Sequence, residues 1–170
     1  MALWALALTA GQLAFTCVYS GPAIQDQAAA WIRKHAKRDA IVAVIGTPWY
    51  YTPPFVPDNG GPMTWHGGGL TYISYTSTNS LLSMDWQTLP NGGVNPPKYV
   101  VLADVQYREQ LRIGVPEVRR FMSYLRQHYR PLKRFPDHGL RALVTHAIQD
   151  APPDWRYPSP IITIYEHPPR

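Results

Sequence analysis

Three apolar runs rich in β-branched residues divide the chain and predict buried strands. They cover residues 40–45, 98–103 and 161–165. Two weaker runs add strand candidates: 70–76 alternates between apolar and polar positions, and 132–135 is short. A last run at 142–146 is compatible with either a strand or a helix. The pattern therefore predicts a sheet assembled from segments spread over the whole chain.

Two amphipathic helices alternate with the buried strands. Over residues 22–37, apolar or aromatic side chains recur at helical spacing, at Ile24, Ala28, Trp31, Ile32 and His35. Over residues 116–129 the corresponding stripe is Val118, Phe121, Met122, Leu125 and Tyr129. Buried strands that alternate with helices are typical of layered α/β domains with crossover connections. We therefore predict an α/β fold with a mainly parallel sheet and flanking helices.

The first 20 residues carry no charged side chain, and about 20 apolar residues are needed to span a bilayer core. A secretory signal peptide would begin with a basic residue and end in a small-residue cleavage site, and neither is clear here. We predict a transmembrane helix over 1–20 and one soluble domain over 21–170. A cleaved signal peptide and a buried soluble helix are the alternatives. The only cysteine, Cys17, lies in this segment, which excludes an internal disulfide and a cysteine-built zinc site.

Aromatic residues cluster after the first buried strand, in the region whose composition is the most unusual of the chain. Residues 49–97 hold seven of the 18 prolines and seven of the 12 glycines. Long ordered loops of this kind are uncommon unless they are functional. Aromatic faces stack on sugar rings, and tyrosine hydroxyl and indole N–H groups add hydrogen bonds. We predict a substrate-binding role for Trp49, Tyr50, Tyr51, Trp65 and His66, the alternative being that they cover the sheet edge or rest on lipid headgroups.

The charge pattern bears on possible partners. The net charge is +5, and nine basic residues fall between Lys98 and Arg134. No recognised nucleic-acid motif accompanies them, so we expect no nucleic-acid partner. A solvated helix face is the plainer interpretation, and an anionic membrane surface or a phosphate-bearing substrate is the alternative.

Recognisable catalytic and metal-binding motifs are missing from the sequence. The six histidines do not fall at metal-ligand spacing, and neither a nucleophile elbow nor a nucleotide-binding glycine loop occurs. The candidate acids are Asp85, Asp104, Asp150 and Asp154. Asp104 follows the second buried strand, where α/β proteins place ligand sites, although a cap or turn acid is the alternative. We predict no catalytic residue, no metal and no cofactor for this chain.

Four stretches together resemble a known enzyme family. They are residues 30–44 (Ala-Trp-Ile-Arg through Asp-Ala-Ile-Val-Ala-Val), 48–54 (Pro-Trp-Tyr-Tyr-Thr-Pro-Pro), 98–101 (Lys-Tyr-Val-Val) and 152–165 (Pro-Pro-Asp-Trp-Arg-Tyr-Pro-Ser-Pro-Ile-Ile-Thr-Ile-Tyr). In this order they resemble the C-terminal extracytoplasmic domain of membrane glycosyltransferases that use dolichyl- or polyprenyl-phosphate sugars, the protein mannosyltransferase-like group with the GT-C fold. The last stretch is the most specific, and residues 57–93 match least well.

The resemblance implies a polyprenyl-phosphate-linked sugar as donor and an acceptor, both held by a membrane region. It also implies a catalytic carboxylate in an extracytoplasmic loop that none of the acids of this sequence matches. On this interpretation the chain is a C-terminal fragment of the transferase, on the extracytoplasmic side of the membrane, and acts as a lid or scaffold. The alternative is a membrane-anchored carbohydrate-binding or interaction domain without catalysis.

Overall fold

A computed structural model describes residues 9–13, 16, 22–45, 64–67, 70–75, 96–150 and 159–169, with 64–67 and 70–75 as backbone. The helices are α1 (Ile24–His35), α2 (Arg108–Arg112), α3 (Pro116–His128) and α4 (Gly139–Ala147), and a 3-10 turn covers Asp104–Gln106. The strands are β1 (Ile41–Ile45), β2 (Thr64–Gly67), β3 (Leu70–Tyr75), β4 (Tyr99–Ala103), β5 (Arg130–Phe135) and β6 (Ile162–Glu166). The predicted α/β class is confirmed, and the segment 142–146 is helical.

The six strands form one mixed sheet in the order β2-β3-β1-β4-β6-β5. Only the pairs β1–β3 and β1–β4 are parallel, whereas β2–β3, β4–β6 and β5–β6 are antiparallel. The prediction of a mainly parallel sheet is therefore wrong. Buried apolar runs reveal which segments are strands but not the direction in which each enters the sheet.

Strand β6 runs antiparallel to β4 because its start is fixed to the end of β4. The Asp104 N–H donates to the Ile161 carbonyl oxygen at 2.9 Å, and the Ile161 N–H donates to Asp104 Oδ1 at 2.9 Å. The chain therefore enters β6 at the edge where β4 ends, and can only run back along it. We call this the carboxyl edge of the sheet, since β1, β3, β4 and β5 all end there.

The sheet buries apolar side chains on both faces. On one face, α1 packs Ile24, Ala28, Ala29 and Ile32 against alternate residues of the central strands, namely Val42, Val44, Val101, Ile162 and Ile164. On the other face, α3 packs Phe121 and Leu125 against Ala43, Val100 and Leu102. Both predicted helical stripes are confirmed except at His35, which is exposed and stacks on Trp31 with ring centroids 4.6 Å apart.

Most of the segment predicted as a transmembrane helix, residues 1–20, lies outside the described residues. Of that segment, 9–13 and 16 are described, in helical conformation. Within the described part of the chain, no helix combines the length and the apolar character needed to cross a bilayer.

Candidate functional site

A pocket of about 440 Å³ opens on the α3 face of the sheet, over β5 and β6. The start of α2 and the 3-10 turn before it form a second wall, and the turn after α4 contributes a third. Its lining combines charged, hydroxyl, amide and apolar side chains: Asp104, Tyr107, Arg108, Leu111, Pro131, Arg134, Gln149, Ile161, Thr163 and Tyr165. A volume of this size lies within the range of small-molecule sites in proteins.

A β-bulge in β5 brings two of these residues to the same side. Pro131 pairs with Tyr165 and Arg134 pairs with Thr163, and the register shifts between Pro131 and Lys133. In a regular strand, residues three apart point to opposite faces. The extra residue in the bulge cancels that alternation, so Pro131 and Arg134 both line the pocket. Pro131 is tolerated here because β5 is an edge strand.

Asp104 organises the wall beneath α2. It is 5% exposed, and its Oδ1 accepts the hydrogen bond from Ile161 already described. Its Oδ2 lies 3.9 Å from Nη1 of Arg108, whose Nη2 donates to Asp150 Oδ1 at 2.6 Å. The carboxylate thus fixes the start of β6 and orients a guanidinium at the pocket wall. These contacts fit the alternative interpretation of Asp104, a structural acid at a turn.

Two tyrosines of the pocket are held in their neutral form. The pKa of Tyr107 is raised to about 12, mainly by burial and also by the charges of Tyr165 and Asp104, while the guanidinium groups of Arg134 and Arg108 oppose the shift. Burial also raises the pKa of Tyr165, against the lowering effects of Arg134 and of a hydrogen bond with Thr163. Both phenols therefore keep their proton at neutral pH, and Arg134 lies close enough to influence both.

Two of the five residues predicted for substrate binding, Trp65 and His66, fall within the described part of the chain. Trp49, Tyr50 and Tyr51 lie outside the described residues. Trp65 and His66 belong to β2, an edge strand, whereas the pocket lies over β5 and β6 at the opposite side of the sheet. With neighbouring strands about 4.8 Å apart, four strand steps from β2 to β6 separate them by about 19 Å.

The carboxyl edge also holds the point where the N-terminal segment joins the domain. The end of α1 lies at the opposite edge of the sheet, where β4 begins. There the Lys37 N–H, just after the helix, donates to the Tyr99 hydroxyl at 3.3 Å. The 12 residues of α1 are about 18 Å long, so the helix begins near the carboxyl edge. At the carboxyl edge, Arg141 of α4 donates from Nη1 to the Pro22 carbonyl oxygen at 2.7 Å.

Helix α4 exposes two leucines beside this junction. Leu140 is 55% exposed and Leu143 is 69% exposed, whereas Ala142 and Thr145 face the domain interior. The Thr145 hydroxyl is hydrogen-bonded to that of Ser159 at 2.7 Å, which fixes the buried side of the helix. An outward apolar stripe therefore lies on the helix that holds Pro22.

The sequence contains a signal for the β2–β3 hairpin, which was not among the elements predicted above, and little signal for the pocket. Gly68 and Gly69 stand between β2 and β3, and a Gly-Gly pair between two short strand-like runs is typical of a β-hairpin. The bulge in β5 and the buried environments of Tyr107 and Tyr165 depend on long-range packing. The described residues contain no cluster of three or more acidic, histidine or cysteine side chains able to hold a metal ion.

Comparisons of the chain with models of known protein families, with curated proteins and with solved structures gave no match.

Proposed function

We propose that this chain is the extracytoplasmic domain of a membrane glycosyltransferase that uses a polyprenyl-phosphate-linked sugar. In this proposal the domain is a scaffold above a membrane-embedded active site and supplies no catalytic group of its own. The hydrogen bond from Arg141 to the Pro22 carbonyl carries the proposal, because it ties the end of the apolar segment to the carboxyl edge of the sheet. The stretches that resemble the protein mannosyltransferase-like group support the choice of enzyme class.

The junction at Pro22 gives the proposal an orientation. If residues 1–20 cross the bilayer, the chain leaves it directly before Pro22, and the carboxyl edge faces the membrane. Leu140 and Leu143 on α4 then lie at the lipid interface, where exposed apolar side chains are favourable. Trp49, Tyr50 and Tyr51 follow β1 in the sequence, and β1 ends at the same edge. We assign to them the contact with the sugar of the donor or acceptor.

The chemistry is divided between the two parts of the enzyme. Transfer to an acceptor hydroxyl needs a carboxylate placed to remove its proton. In the proposal that carboxylate belongs to the membrane region, and the domain limits water access and positions the substrates. We therefore expect this chain alone to show no turnover of a polyprenyl-phosphate sugar. Turnover that is abolished by replacing Asp85, Asp104 or Asp154 would overturn this assignment.

Photo-crosslinking tests the contact with the donor. The full chain would carry p-benzoylphenylalanine at position 49 and be reconstituted in nanodiscs with polyprenyl-phosphate mannose labelled in the sugar. We expect labelled product from position 49, and none from a control at position 120, which lies on the exposed side of α3. Equal labelling at both positions, or none at position 49, would contradict the proposal.

Depth measurements test the orientation independently. Single-cysteine variants in a Cys17→Ser background would place a fluorophore at Leu143 or at Arg120, with nitroxide-labelled lipids in the bilayer. We expect strong quenching for Leu143→Cys and weak quenching for Arg120→Cys. Equal quenching at the two positions would show that α4 does not lie on the membrane.

A second candidate function is a membrane-anchored binding domain without catalysis. The pocket over β5 and β6 favours it, because it lies about 19 Å from β2 and offers its own set of polar groups. This alternative predicts ligand binding at the pocket together with no crosslink from position 49.

A further inference from the structure

The pocket over β5 and β6 contains a positive charge that the surrounding described residues do not neutralise. Arg134 lines the pocket, and no carboxylate in the described ranges lies within 4.0 Å of its guanidinium. Asp104, a carboxylate of the lining, and Asp150, just after Gln149 in the sequence, are both paired with Arg108. With respect to the described residues, a ligand that enters the pocket therefore meets an arginine available for a new ion pair.

Neutral hydrogen-bond donors surround this charge. The hydroxyl groups of Tyr107 and Tyr165 remain protonated at neutral pH, as their raised pKa values indicate, so both can donate. Gln149 adds an amide at the wall formed by the turn after α4. Asp104 is the one carboxylate among the described lining residues, and its oxygens face Ile161 and Arg108. The arrangement favours an anion over a cation.

The donors of the pocket lining come from three different elements of the fold. Arg134 is placed on β5, Tyr165 on β6, and Tyr107 on the turn before α2, so donors approach from three elements. A phosphate monoester offers three oxygens to three such groups, and arginine pairs strongly with phosphate. Leu111, Pro131 and Ile161 supply apolar wall for the organic part of an ester.

We propose that this pocket binds the phosphate group of a phosphate ester, with Arg134 as the ionic contact and the hydroxyls of Tyr107 and Tyr165 as hydrogen-bond donors. Two sources share this chemistry, a soluble sugar phosphate and the phosphate of a membrane lipid. The inference does not depend on the proposed transferase function, since it rests on residues of the pocket alone. A carboxylate ligand would engage the same arginine with two oxygens and a single negative charge, against the three oxygens and larger charge of a phosphate monoester.

Titration of the full chain in phosphatidylcholine nanodiscs tests the proposal, with NMR detection of the arginine Nε–Hε signals. One arm adds glucose 1-phosphate, a second incorporates phosphatidic acid in the bilayer, and a third adds acetate. We expect saturable shifts of the Arg134 signal in the first or the second arm, which identifies the source, and weaker binding of acetate. Binding of acetate as tight as that of both phosphate probes would overturn the assignment to phosphate.

Matched variants separate the site from general charge effects. Arg134→Gln should weaken binding of the phosphate probe at least about tenfold, because a hydrogen-bonded charge contact is lost. Arg120→Gln removes another exposed arginine, which lies on α3 outside the pocket lining, and should leave the affinity unchanged. Tyr165→Phe gives an independent test. It should lose less affinity for the phosphate probe than Arg134→Gln and keep the melting temperature of the wild type. Equal affinity of wild type, Arg134→Gln and Arg120→Gln, or no binding by the wild type, would overturn the proposal.

Discussion

Asp104 and Ile161 are joined by two hydrogen bonds of 2.9 Å, one between backbones and one from the Ile161 N–H to the Asp104 carboxylate. Both residues are buried, at 5% and 4% exposure. The pair connects the end of β4 to the start of β6 across 57 positions of sequence. It sets the antiparallel direction of β6 and, with it, the face on which Thr163 and Tyr165 reach the pocket.

Two replacements of Asp104 should separate the contribution of its hydrogen bond to stability from that of its charge. Asp104→Ala leaves the Ile161 N–H buried without its side-chain acceptor, and we expect a loss of about 1–3 kcal/mol in the free energy of unfolding. Asp104→Asn keeps an oxygen for that N–H and loses the 3.9 Å ion pair with Arg108, so the loss should be under about 1 kcal/mol. Urea unfolding followed by tryptophan fluorescence measures both. Equal losses for the two variants would contradict this role.

Glu166 provides a prediction for acid stability. Burial alone would raise its pKa, but hydrogen bonds from Arg130 and Lys98 and the charges of both outweigh burial and hold the pKa below its ordinary value of 4.5. A lowered pKa in the folded state means that the stabilisation is present above about pH 4.5 and is lost as the pH falls through the folded-state pKa.

Glu166→Gln should therefore reduce stability at pH 7 and flatten its fall below about pH 4.5. We expect about 1 kcal/mol at pH 7, because Arg130 is 64% exposed and water weakens its attraction to the carboxylate. Urea unfolding from pH 7 to pH 3 gives the profile. Glu117→Gln in the exposed pair with Arg120 is the control, within about 0.5 kcal/mol of wild type at pH 7. Parallel profiles for wild type and Glu166→Gln would contradict the prediction.

The sequence predicted the layers of this fold better than its connections. Buried β-branched runs and the helical stripe from Val118 to Tyr129 follow from local periodicity, so β1, β4, β6 and α3 were found near their observed bounds. The direction of β6 depends on a contact between Asp104 and Ile161 that no local pattern encodes. Strand β2 was placed in a loop because its four residues include no clear apolar alternation.

The candidate site was harder to predict for the same physical reason. Aromatic residues such as Trp65 attract attention in a sequence because of their chemistry, yet β2 lies at the edge of the sheet opposite the pocket. The pocket instead combines Arg134, which looked like part of a solvated basic stretch, with Tyr107 and Tyr165. Only the bulge in β5 and the packing of α2 bring these three together.

Two apolar residues on different helices should respond very differently to truncation. Phe121 of α3 is fully buried against the sheet, and Phe121→Ala should lower the free energy of unfolding by about 3–5 kcal/mol. Leu143 of α4 is 69% exposed, and Leu143→Ala should change it by less than about 0.5 kcal/mol. Urea unfolding in detergent gives both values. A large loss for Leu143→Ala would show that α4 packs its outer face against the protein, and would remove the support for a membrane contact there.

The raised pKa of Tyr107 predicts a loss of folding stability at alkaline pH. Its pKa is raised by burial to about 12 in the folded protein, against an ordinary value of 10.0. The unfolded chain therefore releases this proton first, and the folded state holds more protons between about pH 10 and pH 12. The stabilisation is fully present below pH 10 and is lost as the pH rises toward 12. Absorbance at the phenolate band should show a late phase to which the buried Tyr165 also contributes, and its amplitude should be smaller in Tyr107→Phe. The variant should also lose less stability between pH 9 and pH 11 than wild type. A late phase of equal amplitude in wild type and Tyr107→Phe would show that the Tyr107 phenol meets solvent, and the pocket wall formed by the start of α2 would then be open.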